Sequence, residues 1–393
     1  MFDKKERLND KKLEQLYIRK NLSKSRITNY ERVFRTIQEK FGYSPTQLLE
    51  IAKEEQQPKI MDNQIVFKEL EDRTITQIQY DYYFYLLEKK LKPISIKSEL
   101  GAYRAFLNEY NIQLPKPIEI KTHPPLYETG DLPQKEDILK AINSTNNKRT
   151  KAILYFMSSS GIRSVDTRHL RIQDFVNGCK YYFDNMENLT LEDIFKSNYH
   201  HIIPSFYFRP QKTSKHGNIC CTFCSPEAVV SIVDYLKHRY IRSYDEPLFS
   251  TFDGGVIDNV TFTQSFQRIN DVEFGRNDDG ERFLKPKYLR KYFITTCNQH
   301  SGDLLKVRLL AGHSISNIDR AYNEISIPVM RRFYTTLLPY LSLTDMRVKD
   351  VKTKEYLDLE RKLRKQELEN EKLKVELDDR INRVVEDVLR KYK

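Results

Sequence analysis

The first quarter of the chain is polar overall, yet its apolar positions recur at helical spacing. Residues 11–18 predict one helix. Ile27, Tyr30, Val33 and Ile37 line a second, which Ser23 or Ser25 can cap. Ser44-Pro45 starts a third, running to about Ala52. Residues 80–91 are aromatic-rich, and Ser95 opens a further helix with apolar positions at Ile96, Leu100, Tyr103 and Leu107. The pattern then breaks. Residues 114–134 hold five prolines and few apolar side chains, which predicts an extended, semi-rigid tether. Beyond it, helices are expected over 135–141 and 150–159, a surface helix over 178–199, and helices over 226–238 and 261–274. The stretch around 218–223 reads as a strand leading to a helix capped near Ser225. Asp278-Asp279-Gly280 reads as a turn rather than a metal site.

The tail, 346–393, lacks Gly and Pro and is built mostly of helix formers. Heptads place Tyr356, Leu363, Asn370, Leu377 and Val384 on one seam position and Leu359, Gln366, Leu373 and Arg380 on the other. A dimeric coiled coil and a single long charged helix both satisfy that pattern. The chain thus divides into a helical domain (1–113), a linker (114–134), a second domain (135–345) and the tail (346–393). The fold class is mainly α with a small antiparallel β-sheet (α+β).

Charge adds a partner. With 66 Lys and Arg against 55 Asp and Glu, the chain carries +11, which fits a polyanion such as DNA. A basic ribosomal or cytoskeletal protein has the same balance. Met1-Phe2-Asp3-Lys4-Lys5-Glu6 has no apolar continuation, and no run approaches a membrane span, so the cell interior is expected and no membrane partner. Five cysteines argue against a disulfide framework. Cys220, Cys221 and Cys224, with His200, His201 and His216 nearby, invite a zinc reading. A second Cys-x-x-Cys is missing, and buried strand thiols are the expectation.

The chemistry concentrates between Pro286 and Tyr322. Lys287 and Arg290 fall on the first turns of a helix, and Leu304, Leu305, Val307, Leu309 and Leu310 form an apolar run. Gly312-His313 follows, with Tyr322 nine residues beyond the histidine. Each residue alone has an ordinary reading: a solvated arginine, a helix-capping histidine, one packing tyrosine among 25. Together, two cations, an imidazole and a phenol suit a phosphodiester.

Upstream, Gly161-Ile162-Arg163 is followed by Asp166 and Leu170. With that turn, and with Lys287-Tyr288-Leu289-Arg290, Leu309-Leu310-Ala311-Gly312-His313 and Tyr322, the chain resembles the tyrosine recombinases, the phage-integrase family. That family shares its catalytic domain with type IB topoisomerases. Its lysine sits on a β-hairpin before a threonine, which implies Lys212-Thr213, with strands over 201–210 and 218–223 and the turn at 213–217. Lys215 competes for the role but falls in the turn. The departure is Lys287, where most members carry histidine; some archaeal integrases and type IB topoisomerases have lysine there. Residues 1–113, with Lys24, Arg26, Arg32, Lys92, Lys97 and Arg104 along their helices, resemble the core-binding domain that clamps DNA in integrases.

The resemblance implies a reaction. Tyr322 attacks the scissile phosphate to give a 3′-phosphotyrosyl link and a free 5′-hydroxyl. Arg163 and Arg290 grip the non-bridging oxygens. Lys212 protonates the departing 5′-oxygen, and His313 donates to the same phosphate. Lys287 adds charge or assists proton transfer, and Asp166 orients Arg163. Neither metal nor ATP nor another cofactor is implied. The expected function is site-specific recombination of double-stranded DNA by a homo-tetramer, with the tail as a possible dimerisation element and the nucleoid as the place of action. A mobile-element integrase, leaning archaeal, or a dimer-resolving recombinase fits. A type IB topoisomerase and a non-catalytic DNA-binding protein are the alternatives.

Overall fold

The computed structural model describes residues 8–61, 63–122, 130–184, 186–212, 218–277, 280–316, 326–344 and 366. The chain divides into two compact units, Met1–Leu126 and Tyr127–Lys393. Both are helical, each with a two-stranded antiparallel sheet. No helix among the described residues is long and apolar enough to cross a membrane. The proposed coiled-coil tail, the hairpin turn with Lys215, the Asp278-Asp279 pair and Tyr322 lie outside the described residues.

The first unit packs α1 (Lys11–Arg19), α2 (Lys24–Phe41), α3 (Pro45–Gln56), α4 (Thr74–Glu88) and α5 (Pro93–Glu109) around Leu13, Phe34, Ile37, Leu49, Tyr103 and Phe106. Asp10 caps α1 by accepting from the Lys12 and Leu13 amides (3.0 and 3.1 Å), and its second oxygen accepts from Thr46 N (2.9 Å). One carboxylate thus caps one helix, worth about 1 kcal/mol, and ties it to the start of another. The helix expected from Ser95 begins at Pro93, whose fixed φ suits a first helical position. A short exposed hairpin, β1 (Lys59–Met61) with β2 (Gln64–Val66), was not foreseen from the pattern. Leu114, Ile118 and Ile120 of the expected tether pack against this unit's core.

In the second unit α7 (Lys148–Ser160) is the central strut, packed by α6 (Lys135–Asn143), α11 (Pro226–Lys237) and α13 (Pro286–His300). Asn147 caps it, accepting from Thr150 N (3.0 Å). The short α8 (Ser164–His169) and α9 (Ile172–Cys179) follow. The single surface helix expected over 178–199 does not form. Instead α9 ends at Cys179, a 3-10 turn covers Lys180–Tyr182, and α10 (Leu191–Lys196) starts afresh behind a Thr190–Asp193 capping box. The strands are β3 (Ser205–Phe208) and β4 (Cys220–Phe223), paired from Ser205↔Phe223 to Phe208↔Cys220. Then come α12 (Asn259–Glu273), α13, α14 (Leu304–Leu310) and α15 (Ile327–Leu341). One core gathers Phe156, Phe175, Phe249 and Phe266. A second gathers Phe223, Phe293, Leu310, Met330 and Leu337, where β4, α13, α14 and α15 meet.

Candidate active site

The site begins where α7 stops. Gly161 takes φ +64°, its amide closing on Met157 O (3.2 Å), a left-handed cap that glycine adopts without strain. A Cβ there would sit 2.2 Å from the buried Phe293 ring, so α13 passes hard against this turn. Buried Ile162 anchors the turn, and Arg163 follows at the N-cap of α8. Its Nη2 donates to Gly312 O (3.1 Å), 149 residues away in sequence.

Arg290 arrives from α13, flanked by buried Leu289 and Phe293. Its Nη1 donates to Gly161 O (2.5 Å) and its Nη2 to Ala311 O (2.6 Å), so one guanidinium joins the turn after α7 to the turn after α14. Burial, then the nearby Arg163 charge, lowers its pKa to about 10. The third group comes from the end of α14. Gly312 is left-handed at φ +60°, and His313 N returns to Arg308 O (2.9 Å), which turns the histidine out of the helix. A Cβ on Gly312 would lie 2.9 Å from Cys220 Cβ, so β4 rests on this turn. His313 is half-buried, and burial, then Arg290, Arg163 and Arg308, lowers its pKa to about 4. The imidazole is therefore neutral at pH 7, among cations.

Asp166 differs from expectation. Its buried carboxylate accepts from the backbone amide of Gln211 (2.8 Å) rather than bonding Arg163. Burial raises its pKa despite that bond and the Arg163 and Arg290 charges. It thereby fixes the residue just before Lys212, whose side chain is exposed at the end of the β3 arm. Lys287 is exposed one helical turn before Arg290, its ammonium 4.9 Å from the Tyr288 ring centroid. Arg163, Arg290 and His313 are thus brought together, Lys212 is tethered nearby through Gln211, and Lys287 stands on the outer face of α13.

The thiols are strand and core residues. Cys224 belongs to one core and Cys221 to the other, while Cys220 Sγ faces Leu310 O at 3.3 Å. Burial pushes Cys220 up to about 12 and Cys221 up to about 11.

Chemically, neither guanidinium is ion-paired to a carboxylate among the described residues; their hydrogen-bond acceptors there are three backbone carbonyls. An arginine offers five N–H donors, so Arg163 and Arg290 keep donors for a further acceptor. Two crowded cations and a neutral imidazole make an anion site whose own repulsion an entering phosphate would relieve.

No protein-family model and no curated protein matches the sequence. Among solved structures, the chain is similar to the Tn1549 transposon integrase in complex with transposon right end DNA. The identity is 15%, over 82% of this chain and 96% of that one, with a TM-score of 0.50. It is also similar to a lambda integrase dimer bound to a COC′ core site (14% identity, 80% and 96% covered, TM-score 0.47). A third is the XerH site-specific recombinase bound to difH substrate (14% identity, 81% and 82% covered, TM-score 0.46). The first likeness is one of fold: the chain shares a mainly helical architecture with small antiparallel sheets.

Proposed function

We propose that this chain is a tyrosine recombinase that cuts and rejoins double-stranded DNA at a specific site, with Tyr322 as nucleophile. The observation that carries the reading is the convergence of Arg163 and Arg290 with His313 on the turns at Gly161 and Ala311–Gly312, without a described carboxylate to pair them. Asp166, whose charge reaches both arginines, is committed to the Gln211 amide, so the pair suits a ligand that brings further negative charge.

In the proposed reaction the Tyr322 hydroxyl oxygen bonds to phosphorus as its proton passes to solvent, and the P–O5′ bond breaks. Arg163 and Arg290 hold the non-bridging oxygens as charge builds in the pentacoordinate state. His313, neutral at pH 7, donates an N–H to the same phosphate. Lys212 gives its proton to the departing 5′-oxygen. Lys287, one turn before Arg290 on the same helix, supplies further charge or assists proton transfer. The 3′-phosphotyrosyl link conserves the broken bond's energy, so religation runs without ATP, and the charge clamp is made of protein cations. The N-terminal unit grips the duplex through its basic helices, and the chain works as a homo-tetramer, with residues 346–393 as a dimerisation element. A mobile-element integrase of archaeal type fits the lysine at 287.

Covalent capture tests this. The protein and its Tyr322→Phe variant are incubated with randomised duplexes carrying a nick that strands the intermediate, and adducts are resolved on denaturing gels and sequenced. A Tyr322-dependent adduct on a narrow inverted repeat is the expected result. Adducts spread over all sequences would indicate a topoisomerase, and none at all, with binding intact, would leave a DNA-binding protein.

A further inference from the structure

Arg331 is a buried cation that the chemistry above does not use. It lies on α15 and is 6% exposed. Its Nη1 donates to the Ile203 carbonyl, with the Tyr182 hydroxyl at 3.3 Å. Three rings enclose the guanidinium, with centroids at 4.3 Å (Tyr181), 5.1 Å (Phe223) and 5.3 Å (Tyr182). Its Nε is buried without a partner among the described residues. Packing alone does not call for a charge here, since a methionine would fill such a cage without the desolvation cost.

What the cation grips is informative. Ile203 lies two residues before β3, and Phe223 ends β4, opposite Ser205, so Arg331 clasps both arms of the hairpin at its open end. At the far end the Gln211 amide is held by Asp166, next to Lys212. The helix that carries Arg331 is itself tied to the end of α7 by the Tyr334 hydroxyl donating to Ser159 O (2.9 Å). Arg331 therefore references the lysine hairpin to the same strut that presents Arg163.

We propose that Arg331 is a positioning residue for the leaving-group acid, holding the hairpin so that Lys212 meets the 5′-oxygen. This rests on the role given to Lys212 above. From Ile203 to Lys212 is nine residues, at most roughly 30 Å of chain at ~3.3 Å per residue. With Gln211 held by Asp166, a shift of the open end is taken up between the two anchors, and a displacement of about 1 Å at Lys212 can cost about 100-fold in rate.

The experiment is single-turnover adduct formation by the full chain and its Arg331→Met variant on two duplexes bearing the captured site. One is ordinary DNA, where the P–O5′ bond breaks and the 5′-oxygen takes a proton from Lys212. The other has sulfur at the bridging 5′-position, where the P–S bond breaks and the thiolate leaves as an anion, needing no proton. The expected result is a loss of at least about 10-fold on ordinary DNA that disappears on the sulfur duplex. Lys212→Ala should show the same split, and in Arg331→Met the affinity for DNA and the hydrogen-exchange protection of the α15 amides should hold. Equal slowing on both duplexes, or none on either, overturns the proposal while leaving the reading of the site in place. No adduct from the unaltered chain on either duplex overturns both. Should Arg331→Met fail to fold, Arg331→Lys, which keeps the charge over the rings but loses the planar fork, is read by the same two duplexes with the same expectations.

Discussion

Replacing Gly161 by alanine tests the packing on which the site is built. The residue is left-handed at φ +64°, and a Cβ would fall 2.2, 2.7 and 2.8 Å from three atoms of the Phe293 ring. The ring is fully buried and cannot swing into solvent. Left-handed backbone costs an alanine about 1–2 kcal/mol, and forcing apart a packed core costs about 1–3 kcal/mol. Gly161→Ala should therefore destabilise the second unit by about 2–5 kcal/mol. Because two units make a single unfolding transition unsafe to assume, the assay is native-state hydrogen exchange at the amides of α13. Adding Phe293→Leu should return about 1–2 kcal/mol through relief of the overlap, leaving the backbone part. The chemistry should suffer more than the fold, since the Gly161 carbonyl is an acceptor for Arg290 and will move with the turn. A loss below about 1 kcal/mol, with no coupling to Phe293, would refute the close approach of α13.

Other predictions follow from single contacts. His313 should titrate near pH 4 by nitrogen-detected NMR, against an ordinary 6.5, and move upward in Arg290→Gln as a like charge is removed. Because its folded pKa is the lower, this group's contribution to stability is complete above pH 6.5, falls as the pH drops towards 4, and changes no further below that. Arg290→Gln should lower the single-turnover adduct rate by about 100-fold or more, with the α13 amides still protected; an unchanged rate would remove it from the phosphate clamp. Glu227 accepts from Ser342 Oγ and Leu343 N (both 3.0 Å) and Thr344 N (2.6 Å) where the chain leaves α15. Glu227→Gln should cost about 1–3 kcal/mol, seen as faster exchange at the Leu343 and Thr344 amides.

Much of the site was legible because its signals are local. A glycine ends α7 two residues before Arg163 and reads from sequence as a turn, and another ends α14 just before His313; both are left-handed. The pairing of those turns was not legible, because the Arg163–Gly312 and Arg290–Gly161 bonds span 149 and 129 residues. Asp166 was legible, but the Gln211 amide it accepts from was not, because that contact joins residues 45 apart in sequence. The helix expected over 178–199 stops with α9 at Cys179, and Thr190, whose side chain accepts from Asp193 N, starts a new one. Arg331 carried no signal at all, since a charged residue in an amphipathic pattern reads as solvent-facing and only the fold puts three rings around it.

In the proposed reaction the cations at Arg163 and Arg290 serve a phosphate attacked by Tyr322. The most direct measurement is tandem mass spectrometry of the captured adduct after nuclease and protease digestion. The expected result is a nucleotide joined through its 3′-phosphate to Tyr322, absent from the Tyr322→Phe variant and strongly reduced in Arg163→Gln and Arg290→Gln. A 5′-linked nucleotide, or a link to any other residue, would contradict the account.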